Sequence, residues 1–240
     1  MLSSIMNIQK LGLVIAIDGP AGTGKSSATR RLADLLGFVH VDTGSIYRAV
    51  AFLSLEKRQL ADLGPEIPGE IARTVQLEFH RVPGKNPTNR IFANGRDLTD
   101  FIRTPEVSMA ASRVSAVPAV RSALLELQRR LGCAGNSILE GRDIGTVVFP
   151  DADLKFFLTA SVDERAKRRL IELEASGADA PSFEEVKSQI IERDLGDSTR
   201  SVAPLKKAPD AIEVDTSTLT LDEVVRSMEN RARDKLELKR

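Results

Sequence analysis

A lysine and a serine close the glycine-rich run Gly19-Pro20-Ala21-Gly22-Thr23-Gly24-Lys25-Ser26, which fits the spacing G-x-x-x-x-G-K-[ST] and directly follows the apolar stretch Leu13-Val14-Ile15-Ala16-Ile17. Glycines without a Cβ let the backbone curl until successive N–H groups converge on one point, and the helix that follows adds its positive end. Such a loop binds phosphate. Lys25 is expected to reach the β- and γ-phosphates of a nucleoside triphosphate, and Ser26 to complete the shell of a Mg2+ ion bridging them. Because the same loop serves kinases, switches and motors alike, the reaction has to be read from other residues.

Two further segments follow short apolar runs: Asp42-Thr43-Gly44-Ser45-Ile46-Tyr47-Arg48 and Glu140-Gly141-Arg142-Asp143-Ile144-Gly145-Thr146. Each brings an arginine to the carboxyl end of a strand, where a doubly wound sheet presents its ligands. One arginine alone reads as a surface salt bridge. Two beside a phosphate loop point to a second phosphate group facing the triphosphate, as a phosphoryl acceptor would supply.

The elements that must position these groups alternate between strand and helix. The apolar runs Leu13–Ile17, Phe38–Val41, Ile138–Leu139, Leu154–Leu158 and Ala211–Val214 are short and lack strict alternation, which suits strands buried on both faces of a parallel sheet. Val120, Leu124, Leu127 and Leu131 recur at helical spacing, and Leu221, Val224, Val225 and Met228 form the stripe of a closing helix. Two stretches break the alternation. Residues of about 69–104 contain Val75–Val82, the turn-rich Pro83-Gly84-Lys85-Asn86-Pro87, Arg90–Ala93 and Asn94-Gly95, and read as a small insert of short antiparallel strands. Residues of about 161–207 are rich in charge and read as two helices joined by a loop near Gly177.

The chain has 240 residues, 42% of them hydrophobic, enough for one domain with insertions. Lysine plus arginine number 34, as do aspartate plus glutamate, so no whole-protein field draws it to nucleic acid or anionic lipid, and small-molecule partners are expected. The lone Cys133 cannot form an internal disulfide, and two histidines cannot build a Cys/His metal cluster. Met1 to Lys10 does not read as a signal peptide, and no run of eighteen apolar residues occurs, so a cytoplasmic location away from membranes is expected.

Taken in order, these segments resemble the bacterial cytidylate kinases, members of the nucleoside monophosphate kinases. The likeness spans nearly the whole chain. It is carried by Ile17 to Ser26, Asp42 to Arg48, Ala110-Ala111-Ser112, Val120-Arg121, Glu140 to Pro150 and Arg193 to Leu205. It implies a single P-loop α/β domain over residues 1–240, with a parallel sheet of about five strands, helices on both faces, a monophosphate-binding insert at about 69–104 and a lid at about 161–207. It further implies transfer of the ATP γ-phosphoryl to CMP or dCMP with Mg2+, by a protein expected to be a monomer.

The resemblance also assigns roles. Gly19, Pro20, Ala21, Gly22, Thr23, Gly24, Lys25, Ser26 and Ser27 would bind ATP, and Ser26 would reach Mg2+ through the nucleotide. Ser112, Arg121 and Asp143 would hold cytosine, Arg193 and Asp197 would lie near the ribose, and Thr43, Arg48, Arg142 and Arg200 would surround the acceptor phosphate. Lys25, Arg142 and Arg200 are the implied catalytic set. The chemistry agrees: cytosine offers an N4 donor to a carboxylate such as Asp143, which uracil O4 would repel, while Ser112 or Arg121 can donate to N3 and O2. The acceptor is already an anion, so no general base is required. Arg193 and Arg200, on the lid, would complete the site on closure.

Other residues take plainer readings. His40 reads as a packed strand residue, His80 as surface and Cys133 as an idle or buried thiol. Tyr47 lines the acceptor site or packs, and the Arg165-Arg168-Arg169 cluster touches phosphate or is solvated. The same fold acting on UMP or another acceptor is an alternative, as is a nucleotide-driven switch without an acceptor pocket, although the arginines beyond the loop speak against the switch.

Overall fold

The computed structural model describes residues 12–57, 65–82, 88–175 and 181–237. The turn-rich Pro83–Pro87, the loop at Gly177 and the segment Met1 to Lys10 lie outside them.

In chain order the first half comprises β1 (Val14–Asp18), α1 (Lys25–Leu36), β2 (Val39–Asp42), α2 (Thr43–Glu56) and α3 (Glu66–Thr74). The antiparallel strands β3 (Leu77–Val82), β4 (Thr88–Ala93) and β5 (Arg96–Asp97) follow, then α4 (Pro105–Ser115) and α5 (Pro118–Cys133). The second half comprises β6 (Ser137–Gly141), a π-type turn at Ile144–Val148, β7 (Leu154–Thr159), α6 (Val162–Ala175), α7 (Phe183–Thr199), β8 (Ile212–Asp215) and α8 (Leu221–Glu237).

Five strands form one parallel sheet in the order β2-β6-β1-β7-β8, as the apolar runs predict. The central strand β1 is buried at every position. Its alternate side chains feed two cores. Leu13, Ile15 and Ile17 pack with Leu32, Val224 and Met228, while Val14 and Ala16 pack with Val41, Leu139 and Phe149. Covering both faces is what makes near-continuous apolar strands stable in water.

The expected insert strands are present as the sheet β3-β4-β5. Asn94 and Gly95 turn the hairpin at φ 50° and 78°, a left-handed pair suited to a two-residue hairpin loop. This sheet does not fold apart from the rest: Leu77, Ile91, Ala93 and Leu98 share one core with Ile46, Val50, Val114 and Leu124 of α2, α4 and α5. The expected start of the insert at about Gly69 falls inside α3. Pro68 sits in the first turn of that helix, where a missing N–H costs nothing, so Pro-Gly here marks a helix start rather than a break.

The charged stretch forms α6 and α7, as read. They enclose a small core of their own, in which Ala166, Val186 and Ile190 are buried against Val162, Leu170 and Phe183. Ser182 and Glu185 form a reciprocal capping box that starts α7.

Candidate active site

The phosphate loop leaves β1 through Gly19, whose φ of 146° and position 2.0 Å from the Leu158 carbonyl oxygen, measured from where a Cβ would stand, admit no side chain. It closes at Gly24, which is left-handed at φ 79° and caps the N-terminus of α1. Lys25 Nζ donates to the Pro20 carbonyl at 2.6 Å and to Thr23 Oγ1 at 3.4 Å, so the lysine lies folded along its own loop. Ser26 Oγ donates to Glu140 Oε2 at 2.8 Å, and His40 Nε2 lies 2.8 Å from Glu140 Oε1. His40, read from the sequence as a packed residue, is therefore a buried partner of the carboxylate behind Ser26. Ser27 is exposed at the start of α1.

The loop is braced from the lid side. Arg165 is buried and donates through Nη1 to the Ala21 carbonyl at 3.2 Å and through Nη2 to Asp194 Oδ2 at 2.6 Å. Arg168 donates to the Thr216 carbonyl at 2.7 Å and to Thr216 Oγ1 at 3.1 Å, and that hydroxyl donates to the Thr23 carbonyl at 3.0 Å. Of the cluster left open in the sequence, these two arginines serve the backbone around the loop. Arg169 pairs at the surface with Glu172.

Arg48 and Arg142 follow the ends of β2 and β6, two neighbouring strands of which β6 lies beside β1. Asp42 caps α2 by accepting from the Ser45 N–H at 3.1 Å and pairs with Arg48 Nη2 at 2.7 Å, so one carboxylate both starts the helix and aims the arginine. Thr43 Oγ1 donates to the Glu140 carbonyl at 2.7 Å. Arg142 Nε donates to Asp197 Oδ2 of α7 at 2.9 Å, bridging sheet and lid.

A second group forms around Asp143. Arg121 Nη2 donates to Asp143 Oδ2, Arg121 Nη1 donates to the Ser115 carbonyl at 3.2 Å, and the Arg121 guanidinium lies 5.4 Å above the Tyr47 ring. Tyr47 is thereby placed as a packing platform, its hydroxyl accepting from Gln128 at 3.4 Å. Arg200 donates to Ser115 Oγ at 3.3 Å and comes within 3.6 Å of Asp143 Oδ1. Ser112 lies one helical turn before Ser115 and accepts at its carbonyl from the Ser115 hydroxyl at 2.8 Å.

Of the site residues read from the sequence, Thr43, Arg48 and Arg142 lie at the ends of β2 and β6, and Ser112, Arg121, Asp143 and Arg200 group around Asp143 and Ser115. Arg200, expected at the acceptor phosphate, sits with Asp143 and Ser115. Arg193, expected near the ribose, feels the charges of Arg142 and Arg48. Sequence reasoning gave no role to Asp18, Ser115, Glu140 or Thr216. The signal for Asp18 and Glu140 was present, since each is an acid at the carboxyl end of a central strand.

The electrostatics are those of a polyanion site. Burial, followed by repulsion from Arg142, lowers the Lys25 ammonium to about 7, against the pull of Glu140 and Asp18. Burial and the Arg142 charge likewise lower Arg193 to about 10. Arg48 Nε, Arg193 Nε and Arg200 Nη2 are buried with no hydrogen-bond partner. Unsatisfied buried guanidinium donors are costly, and an anion placed among them would relieve both the repulsion and the missing bonds.

A family model for cytidylate kinase matches residues 15–234. The chain is 45% identical over 229 residues to the cytidylate kinase of Citrifermentans bemidjiense, covering 95% of this chain and 96% of that one. It is 46% identical over 224 residues to the cytidylate kinase of Geobacter sulfurreducens, covering 93% and 94% respectively. A bifunctional pantoate ligase/cytidylate kinase of Synechocystis sp. is 47% identical over 215 residues, which are 90% of this chain and 42% of that longer protein.

Proposed function

The chain belongs to the cytidylate kinase family, and from that premise we propose how its residues carry the transfer of the γ-phosphoryl of ATP to CMP or dCMP. The single observation that supports the assignment is a set of buried guanidinium nitrogens without a hydrogen-bond partner, Arg48 Nε, Arg193 Nε and Arg200 Nη2, beyond those the phosphate loop needs. A switch that only binds a triphosphate has no use for them.

ATP lies in the loop Gly19 to Ser27, where the backbone N–H groups and Lys25 take its phosphates. The donor set suits a Mg2+ ion carried in by the nucleotide: Ser26 supplies one hydroxyl, Glu140 stands behind it, and among the described residues no group of three or more acids, histidines or cysteines could hold a metal alone. Bound there, the ion would neutralise charge across the β- and γ-phosphates. The acceptor phosphate sits among Thr43, Arg48, Arg142 and Arg193. We assign Arg193 to this phosphate together with Arg142 and Arg48, whose charges it feels along with that of Asp197. Arg200 closes the base side with Asp143, Ser112, Ser115 and Arg121, and Asp197 stands between the two halves through Arg142.

The acceptor oxygen attacks in line, and Lys25, Arg142 and Arg193 offset the charge on the transferring group. Arginines in this role can contribute roughly 10³–10⁵ in rate. No covalent intermediate and no general base enter, since positioning and electrostatics suffice. The α6–α7 unit acts as a lid over about 161–207, held to the body by the Arg142–Asp197 pair and by the bond from Arg165 to the Ala21 carbonyl. We propose that the protein acts as a monomer. No helix among the described residues is long and apolar enough to cross a membrane, and we propose a cytoplasmic location.

The deciding experiment measures diphosphate formation from ATP–Mg2+ with CMP, dCMP, UMP, AMP and GMP, for the natural chain and for Asp143→Ala. Turnover should favour CMP and dCMP, and Asp143→Ala should erase the preference over UMP. A preference that survives the substitution moves the base site elsewhere.

A further inference from the structure

β1 ends at Asp18, one residue before the phosphate loop, yet the Asp18 side chain does not serve the loop. It turns to the neighbouring strand and accepts two backbone hydrogen bonds, from the Ile144 N–H at 2.8 Å and from the Gly145 N–H at 2.7 Å. These are the two peptide groups immediately after Asp143. The Asp143 carbonyl is held in turn by the Val147 and Val148 N–H groups at 2.9 and 3.2 Å. Asp143 itself lies at φ −145° and ψ 24°, neither helical nor extended, so no regular element fixes its backbone. Its side chain is met by Arg121 and Arg200 only if that backbone points it there.

We propose that Asp18 is a positioning residue for base recognition: its carboxylate clamps the Ile144 and Gly145 amides, and so aims Asp143 at the pyrimidine edge. The inference rests on the reading of Asp143 as the base-recognising acid. Two convergent N–H groups require two acceptor oxygens. An asparagine would offer one oxygen and set its own N–H against the second amide, leaving a buried donor unpaired. The carboxylate is only 4% exposed, and it sits in the fields of Asp143 and Lys25 together, so it links the donor end of the site to the acceptor's base. The amino acid that ends the loop-bearing strand thus bears on which monophosphate is chosen, although it touches neither nucleotide.

The test compares the natural chain, Asp18→Asn and Asp143→Ala for CMP and UMP, reading both kcat/KM and direct binding of each monophosphate without ATP. Dividing CMP by UMP cancels general damage and phosphate effects that a merely structural role would produce. Asp18→Asn should lower the CMP:UMP ratio by about tenfold or more, as the loss of an aimed hydrogen bond implies. A ratio unchanged in Asp18→Asn but lost in Asp143→Ala overturns the role of Asp18 alone. A ratio unchanged in Asp143→Ala overturns the reading of Asp143 on which it rests. If Asp18→Asn does not fold, amide hydrogen exchange on the natural chain decides. Ile144 and Gly145 amides as slow as those of β6 support the clamp, and amides as fast as an open loop refute it.

Discussion

Arg142, at the end of β6, and Asp197, in the last turns of α7, are joined by a bond of 2.9 Å between Nε and Oδ2, and Asp197 is buried. The pair ties the end of β6 to α7.

Removing the Asp197 charge tests that tie. Asp197→Asn keeps the volume and loses the charge-assisted bond, so kcat/KM for CMP is expected to fall by about 10–100-fold, or about 1.4–2.7 kcal/mol. Steady-state kinetics at saturating ATP check this. An unaltered kcat/KM would mean that the lid does not act through this pair.

The lid should also protect ATP. Because Arg193 and Asp197 lie on α7, a site lacking CMP lacks the contacts that draw the lid onto the acceptor, and water competes poorly in the closed site. Hydrolysis of ATP alone is expected to be far slower than transfer to CMP. Equal rates with and without CMP would rule out a lid that closes on the acceptor.

Two buried groups give a pH dependence of one sign. Burial raises Asp18 to about 6, the backbone bonds from Gly145 and Ile144 opposing it only in part. Its folded state holds a proton that the unfolded chain has lost, so the stability this group contributes is complete below about pH 4 and falls as pH rises to about 6. For His40, burial opposes the charge, but the hydrogen bond and charge of Glu140, with Asp42, outweigh it and hold the imidazole above its ordinary value. Its contribution is complete below about pH 6.5 and is lost as pH rises through the raised value. Denaturant melts of the natural chain against Asp18→Asn should therefore show the natural chain losing ground between about pH 4 and 6.

The same melts with His40→Gln should show a larger deficit of the variant at pH 6 than at pH 8.5. A deficit that does not change with pH would indicate that His40 stays neutral against Glu140.

Much of this was legible in the chain itself. Short apolar runs announced all five parallel strands because a strand covered on both faces is nearly continuous in apolar side chains, as β1 is from Val14 to Ile17. Asn94-Gly95 announced the hairpin because few other residues accept two successive positive φ values. The phosphate loop and both arginine-bearing strand ends were legible from spacing. What was hidden depends on the third dimension. Arg165 reads as one charge among many on α6, yet it is buried because α6 docks on the loop at Ala21. The neighbourhoods of Arg193 and Arg200 follow from how α7 crosses the sheet edge, which no local pattern encodes. The helix α3, which runs through Gly69, was not read because its apolar positions are few.

The order β2-β6-β1 places Arg48, Asp143 and the glycine-rich loop just beyond the ends of three successive strands, with Asp42 opposite Glu140 and Asp18 opposite Gly141. Strands in a sheet lie about 4.8 Å apart, and a slip of one residue sends every side chain to the opposite face. Deleting a single residue from β6 would turn Glu140 away from Ser26 and carry Asp143 out of reach of Arg121 in the same step. Tolerance of insertions and deletions is thus sharply divided along this chain: connections can lengthen, while the three central strands cannot change length without dismantling donor site, acceptor site and base choice together.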